Sequence, residues 1–142
     1  MADSLSLHYK IPNDDFSRAG EASSDIKKKL KQLGFPPDIV RKAAVSLYEG
    51  EINMVIHANG GTIDAMIYPD RMEFVLADVG PGIPDIELAM KAGYSTATDE
   101  IRGLGFGAGM GLPNIKESTD DITIETVLGQ GTTLRLLILN NK

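Results

Sequence analysis

Three polar side chains that could take part in chemistry recur at intervals of four residues: Glu49, Asn53 and His57. They lie in the largely apolar stretch VRKAAVSLYEGEINMVIHANGG. On an α-helix, positions four apart share one face, with about 40° between neighbours. A carboxylate, an amide and an imidazole are costly to bury, so the stripe indicates either a site or a solvated surface. Glu51 lies roughly half a turn further round and cannot share a site with Glu49.

A second candidate site follows the apolar run MEFVLA, where the chain reads DVGPGI from Asp78 to Ile83. The pattern places one carboxylate at the end of a strand and two glycines, Gly80 and Gly82, directly after it. Glycine lets a backbone pass where a Cβ would clash. The stretch therefore indicates a binding site that combines an acid with bare backbone.

Glycine occupies every second position of a third segment, GLGFGAGMGL. The series ends where a helix is predicted to begin, and free N–H groups at the start of a helix favour phosphate. It is not a P-loop, because G-x-x-x-x-G-K is absent, and no βαβ unit surrounds it as a dinucleotide fingerprint requires. Taken alone, the series is also consistent with a loose loop or a glycine-weakened strand.

The elements that position these motifs follow from periodicity and turn residues. SLSLHYKI alternates and predicts a half-buried strand. NDDF offers cap residues for a helix whose apolar positions recur from Phe16 to Leu33 and end at Gly34. A second helix begins at the Pro36-Pro37 break and runs to about Ala58.

Two hairpins dominate the rest of the chain. The first hairpin consists of the strands TIDAMIY and RMEFVLA, joined at Pro69-Asp70, and the second of DITIETVL and TTLRLLIL, joined around GQG. Short helices are predicted for DIELAMKA and from Pro113 to about Ser118. The fold class is an α+β two-layer sandwich with a mixed, mostly antiparallel sheet and helices on one face. A parallel Rossmann sheet would need a helix between successive strands. Without repeats or linkers, residues 1–142 are predicted to form a single domain.

Composition excludes several classes of protein. Hydrophobic residues make up 42% of the 142 positions and charged residues 24%, as in ordinary globular domains. A net charge of -6 argues against a nonspecific nucleic-acid binder, and the basic run at 27–31 indicates a solvated helix face. The absence of cysteine excludes disulfides and thiolate metal sites. With no signal core and no stretch of about 18 apolar residues, the sequence predicts a soluble, cytoplasmic protein.

Together, Glu49-x-x-x-Asn53, DVGPGI, GLGFGAGMGL and the GTT at 131–133 resemble the GHKL ATPase superfamily. That superfamily includes the B subunit of gyrase, mismatch-repair ATPases and histidine-kinase catalytic domains. The order and spacing match over nearly the whole chain, and the short length and GPGIPDIELAMKAGYST are most similar to bacterial anti-sigma regulatory factors. The resemblance implies the Bergerat ATP-binding fold.

The resemblance also implies a role for each motif. Asp78 would accept a hydrogen bond from the exocyclic amine of adenine, Gly80 and Gly82 would pass beneath the base, and Thr132 would add a hydroxyl. Asn53 would bind Mg²⁺, and Glu49 would act as general base. The remaining ATP-binding positions that it implies are Ile83, Gly103, Gly105, Gly107, Gly109, Met110, Gly111 and Leu112. His57 is assigned mainly to packing.

The implied function is a serine/threonine kinase that uses ATP and Mg²⁺ to phosphorylate a small STAS-type antagonist in a partner-switching pathway. Its other partners would be a sigma factor or a regulatory phosphatase, and a second copy of the chain in a homodimer. Two alternatives stay open: an ATP-loaded switch that sequesters a partner without transferring phosphate, and a plain ATPase.

Overall fold

The computed structural model describes residues 4–11, 20–57, 60–80 and 111–140. Within these ranges the chain forms five strands and three helices. In chain order they are β1 (Leu5–Ile11), α1 (Glu21–Gln32), α2 (Pro37–His57), β2 (Gly61–Tyr68), β3 (Arg71–Asp78), α3 (Gly111–Ser118), β4 (Asp121–Val127) and β5 (Gly131–Leu139). The helix predicted for DIELAMKA lies outside the described residues.

The five strands form one sheet in the order β1-β2-β3-β5-β4. Both predicted hairpins are present, and β3 pairs with β5 across the middle of the sheet. Every pairing between described strands is antiparallel, so the parallel component of a mixed sheet does not occur in this part of the chain. The α+β fold is confirmed.

One face of the sheet is buried and carries the core. Alternate residues of the central strands point to it, including Ile63, Phe74 and Leu136, each at most 2% exposed. The helices supply the other side of this core through residues such as Leu30 and Leu47, both fully buried. Alternation with a half-exposed opposite face is expected of an antiparallel sheet covered on one side. Among the described helices, none combines the length and apolar character needed to span a bilayer.

Helix α1 begins at Glu21, and the NDDF residues predicted to cap this helix lie outside the described residues. Gly20 precedes it in the left-handed conformation, with φ of 97°, and supplies no capping side chain. The cap is instead the carboxylate of Glu51, 1% exposed, which comes from α2. It accepts hydrogen bonds from the backbone N–H groups of Gly20, Ala22 and Ser23 at 2.9, 3.3 and 3.0 Å. A carboxylate there satisfies unpaired N–H groups and complements the helix dipole.

Helix α2 crosses the sheet at very short distance. A Cβ placed on Gly50 would lie 2.2 Å from Cδ2 of Leu76, a β3 residue that is 1% exposed. A side chain at position 50 would therefore require Leu76 to shift. Glu49 and its neighbours are therefore held over β3 close to its end at Asp78.

Candidate functional site

Asp78 ends β3, and the start of β5 holds its carboxylate. The backbone N–H of Thr132 donates to Oδ1 of Asp78 at 2.8 Å. The side chain is half-buried. Burial raises the pKa of the Asp78 carboxyl, and the hydrogen bond from Thr132 opposes that rise only in part. The bond from Thr132 uses one acceptor site of Oδ1, and the carboxylate keeps others, including those of Oδ2, that can accept from a ligand.

Two glycines on the neighbouring strands make room for this arrangement. A Cβ on Gly131 would lie 2.2 Å from the carbonyl oxygen of Asp78, and one on Gly61 would lie 2.7 Å from the Cα of Asp78. Gly131 also has a φ of 151°, which L side chains rarely adopt. Beyond Asp78, the N–H of Gly80 donates to the carbonyl of Gln130 at 3.1 Å. The structure thus brings Asp78, Gly80 and the β4–β5 turn together.

Thr132 lies on the same side of the sheet as the helices. It is 6% exposed, and its Oγ1 is 3.0 Å from Oγ1 of Thr126, which stands opposite it on β4. Thr126 was missed by sequence reasoning, because only the register of the second hairpin pairs it with Thr132. The two hydroxyls extend the polar surface that begins at Asp78.

Helix α2 contributes Glu49 and Asn53, one turn apart and both half-buried. Its last turn is tied to the sheet by two backbone hydrogen bonds. The N–H of Gly60 donates to the carbonyl of Met54 at 3.2 Å, and the N–H of Val79 donates to the carbonyl of Gly60 at 3.1 Å. The turn of α2 that contains Asn53 is therefore connected to the residue that follows Asp78. At these two positions the stripe predicted from four-residue spacing is neither fully buried nor fully exposed.

Glu49 has a partner that sequence reasoning did not find. The side-chain Nδ2 of Asn114, on α3, donates to Oε2 of Glu49 at 2.7 Å. The neighbouring Ile115 is fully buried and anchors α3 in the core. No periodicity marks Asn114, and its only sequence signal is its position just after the glycine series. Glu51 points to the start of α1 instead, and so does not share a site with Glu49, as its position on the helix predicted.

Several predicted positions cannot be placed in this site. Gly82, Ile83, Gly103, Gly105, Gly107, Gly109 and Met110 lie outside the described residues. Gly111 and Leu112 form the start of α3, and His57 ends α2. Within the described ranges, no three His, Asp or Glu side chains gather into a metal-binding group.

The chain is similar in sequence to one described protein family and to several known proteins. Residues 52–141 match the family described as histidine kinase-, DNA gyrase B-, and HSP90-like ATPase. The chain is 31% identical over 111 residues to the serine/threonine-protein kinase RsbT of Bacillus subtilis, covering 75% of this chain and 77% of that protein. It is 34% identical over 139 residues to the anti-sigma F factor of Caldanaerobacter subterraneus, with 93% and 89% covered. The anti-sigma F factor of Clostridium acetobutylicum is 33% identical over 135 residues, with 90% and 86% covered.

Proposed function

This chain belongs to the family of histidine kinase-, DNA gyrase B- and HSP90-like ATPases, and we propose that within it the chain is an ATP-dependent serine/threonine protein kinase of the anti-sigma factor type. One arrangement carries this function. A carboxylate suited to proton transfer, Glu49, is held by Asn114 at 2.7 Å on the helix that crosses the sheet near Asp78. A module that only bound nucleotide would have no need of an oriented carboxylate there.

Asp78 recognises adenine. Its Oδ2 accepts a hydrogen bond from the exocyclic amine, while the N–H of Thr132 holds Oδ1 at 2.8 Å. Guanine carries an acceptor oxygen in place of that amine, so two acceptors would face each other in a partly desolvated site. Gly80 and Gly82 pass beneath the base, and Thr132 adds its hydroxyl to the polar surface.

Asn53 binds the metal ion that accompanies ATP. Its amide oxygen is the hard ligand that Mg²⁺ accepts, and Mg²⁺ usually keeps waters and phosphate oxygens as its other ligands. When bound, the ion neutralises charge on the phosphates. The glycine series from Gly103 to Gly111, with Ile83, Met110 and Leu112, completes the proposed nucleotide site.

Glu49 acts as general base. The acceptor hydroxyl oxygen forms a bond to the γ-phosphorus, the bond from that phosphorus to the ADP oxygen breaks, and the hydroxyl proton passes to Glu49. Most of the rate enhancement in phosphoryl transfer comes from positioning and charge stabilisation, and a base adds about 10²–10⁴-fold. Asn53 and Glu49 lie on one helix, which would hold a metal bound by Asn53 and the proposed base Glu49 at a constant separation.

The acceptor is a serine or threonine of a small STAS-type antagonist protein. The names of the relatives, one a serine/threonine-protein kinase and others anti-sigma F factors, support the acceptor residue, and the family resemblance of the sequence supports the STAS-type antagonist. A sigma factor or a regulatory phosphatase is the second partner, and the chain acts in the cytoplasm as a single domain that pairs with a second copy.

A transfer assay tests the kinase directly. The purified chain is incubated with Mg²⁺, γ-labelled ATP and the STAS-type antagonist from the same organism. Label on a serine or threonine of the antagonist, lost in Glu49→Gln, is the expected result. Label released only as free phosphate would make the protein a plain ATPase. An ATP-dependent complex without any transfer would make it a binding switch.

A further inference from the structure

We infer that Asn114 is a positioning residue for phosphoryl transfer, whose side-chain amide holds the Glu49 carboxylate in the orientation that receives the hydroxyl proton. The inference rests on the proposed role of Glu49 as the base. The contact is not a local one, since 65 positions separate the two residues in the chain. It is made by the packing of α3 against α2.

The hydrogen bond is short and well anchored at both ends. Nδ2 of Asn114 is 2.7 Å from Oε2 of Glu49, a distance typical of a donor facing a charged acceptor. The donor's neighbour in the chain, Ile115, is fully buried, and Gly50 beside Glu49 lies directly against Leu76. Neither backbone can drift without disturbing the core. The bond therefore defines where the carboxylate lies.

An amide is well suited to this task. A free glutamate side chain has several rotamers, and fixing it costs about 1–2 kcal/mol of conformational entropy. Asn114 occupies Oε2 and leaves Oε1 for the incoming hydroxyl. Because the amide is neutral, it orients the carboxylate without cancelling its negative charge. A lysine or arginine in the same place would cancel that charge. An asparagine also cannot compete for the transferred proton.

To test whether Asn114 positions Glu49 or only joins the two helices, four proteins are compared. They are wild type, Asn114→Leu, Glu49→Gln and the double variant. Each is given γ-labelled Mg-ATP with the antagonist, and kcat, KM for ATP and the melting temperature are measured. Where no acceptor is labelled, release of free phosphate is followed instead. We expect Asn114→Leu to lower kcat about 10–100-fold, as misplacement of a catalytic group does, with KM for ATP changed less than about twofold.

The double variant gives the decisive comparison. If Asn114 acts through Glu49, adding Asn114→Leu to Glu49→Gln causes no further loss of kcat. A further loss, or a fall in ATP affinity parallel to kcat, would mean that Asn114 only holds the helices together and would overturn the inference. Asn114→Ser, too short to reach Glu49, repeats the measurement should leucine disturb the packing of α3.

The outcomes also distinguish this inference from the proposed function. If Glu49→Gln is slow while Asn114→Leu keeps the wild-type rate, Asn114 has no positioning role and Glu49 remains the base. A Glu49→Gln variant of wild-type rate would remove the base itself, and the role of Asn114 with it.

Discussion

At Asp78, the stability of the protein without nucleotide and the proposed binding of adenine favour opposite charge states of the carboxyl. Burial raises the pKa of this carboxyl, so the folded protein holds the proton more tightly than the unfolded chain does. Ionised Asp78 therefore costs stability above the folded pKa, and the cost disappears once the pH falls below the unfolded value. A donor such as the adenine amine has the reverse effect, because it favours the ionised acceptor.

Asp78→Asn should lose ATP affinity without losing stability. The amide oxygen still accepts from the N–H of Thr132, but an amide hydrogen now faces the adenine amine, a mismatch of about 1–3 kcal/mol. Calorimetry should show ATP binding weakened by that amount. Asp64→Asn, on the opposite face of the sheet beside His8, is the matched control and should bind ATP normally. Equal ATP binding by Asp78→Asn and wild type would exclude Asp78 as the adenine acceptor.

Without nucleotide, the difference in stability between Asp78→Asn and wild type should depend on pH. At neutral pH, Asp78→Asn should melt at or above the wild-type temperature, because it lacks the buried charge. The difference should shrink as the pH is lowered through the raised pKa of Asp78 and disappear only below the unfolded value of 3.8, where the carboxyl is protonated in both the folded and the unfolded state. Melting curves from about pH 3 to 8 measure it. A difference that grows on acidification would mean that folding lowers the pKa of Asp78 instead of raising it.

Glu51→Gln should destabilise the fold. The buried carboxylate accepts from three backbone N–H groups at the start of α1, and an amide nitrogen would turn one of these contacts into donor against donor. A loss of about 1–3 kcal/mol in the free energy of unfolding is expected. Glu49→Gln is the control, two positions away on the same helix but only half-buried, and should lose much less. Equal stability of the two variants in denaturant titrations would refute a capping role for Glu51.

At the scale of elements, the glycines beside β3 decide how closely the strands and α2 approach. Gly131→Ala would place a Cβ 2.2 Å from the carbonyl oxygen of Asp78, in a backbone conformation that L residues avoid. It should destabilise the protein by about 1–3 kcal/mol and also weaken ATP binding, since it displaces the carboxylate. Gly129 has a φ of 80°, but a Cβ placed on it would meet no atom within 4 Å. Gly129→Ala should therefore lower stability without affecting ATP affinity. Denaturation measures the backbone strain in both variants, and calorimetry measures whether displacement of the Asp78 carboxylate weakens ATP binding. A Gly131→Ala variant that binds ATP normally would show that the start of β5 does not hold Asp78 in place.

Most elements could be predicted because their signals are local. Strand alternation, the Pro36-Pro37 break and the hairpin turns each lie within a few residues, and the bounds of α2 and both hairpins agree with the structure. The start of α1 could not be predicted, because its cap is supplied by Glu51, 31 residues beyond Gly20. The Asn114 contact with Glu49 is hidden for the same reason. The spacing on α2 predicted that Glu49 and Asn53 share one face of the helix, but not that Asn114 binds Glu49.

At the scale of the whole molecule, the sheet order predicts one cooperative unfolding transition. β5 lies between β3 and β4, so neither hairpin can keep a complete set of neighbours if the other melts. Far-UV circular dichroism and tyrosine absorption should therefore give coincident melting curves. Mg-ATP at 100 times its dissociation constant should raise the free energy of unfolding by about 2.7 kcal/mol. Two separated transitions would show that the chain is divided into independent folding units.

The central place of β5 has a consequence for biosynthesis. A ribosome makes β1 to β4 first, and until β5 emerges β3 has no neighbour on one side and β4 has none at all among the described strands. Thr132, which holds the carboxylate of Asp78, arrives 54 residues after it. Nascent chains stalled before this strand should therefore expose apolar β3 surface and recruit chaperones. Newly made protein would gain its nucleotide site only in the last step of translation through this region.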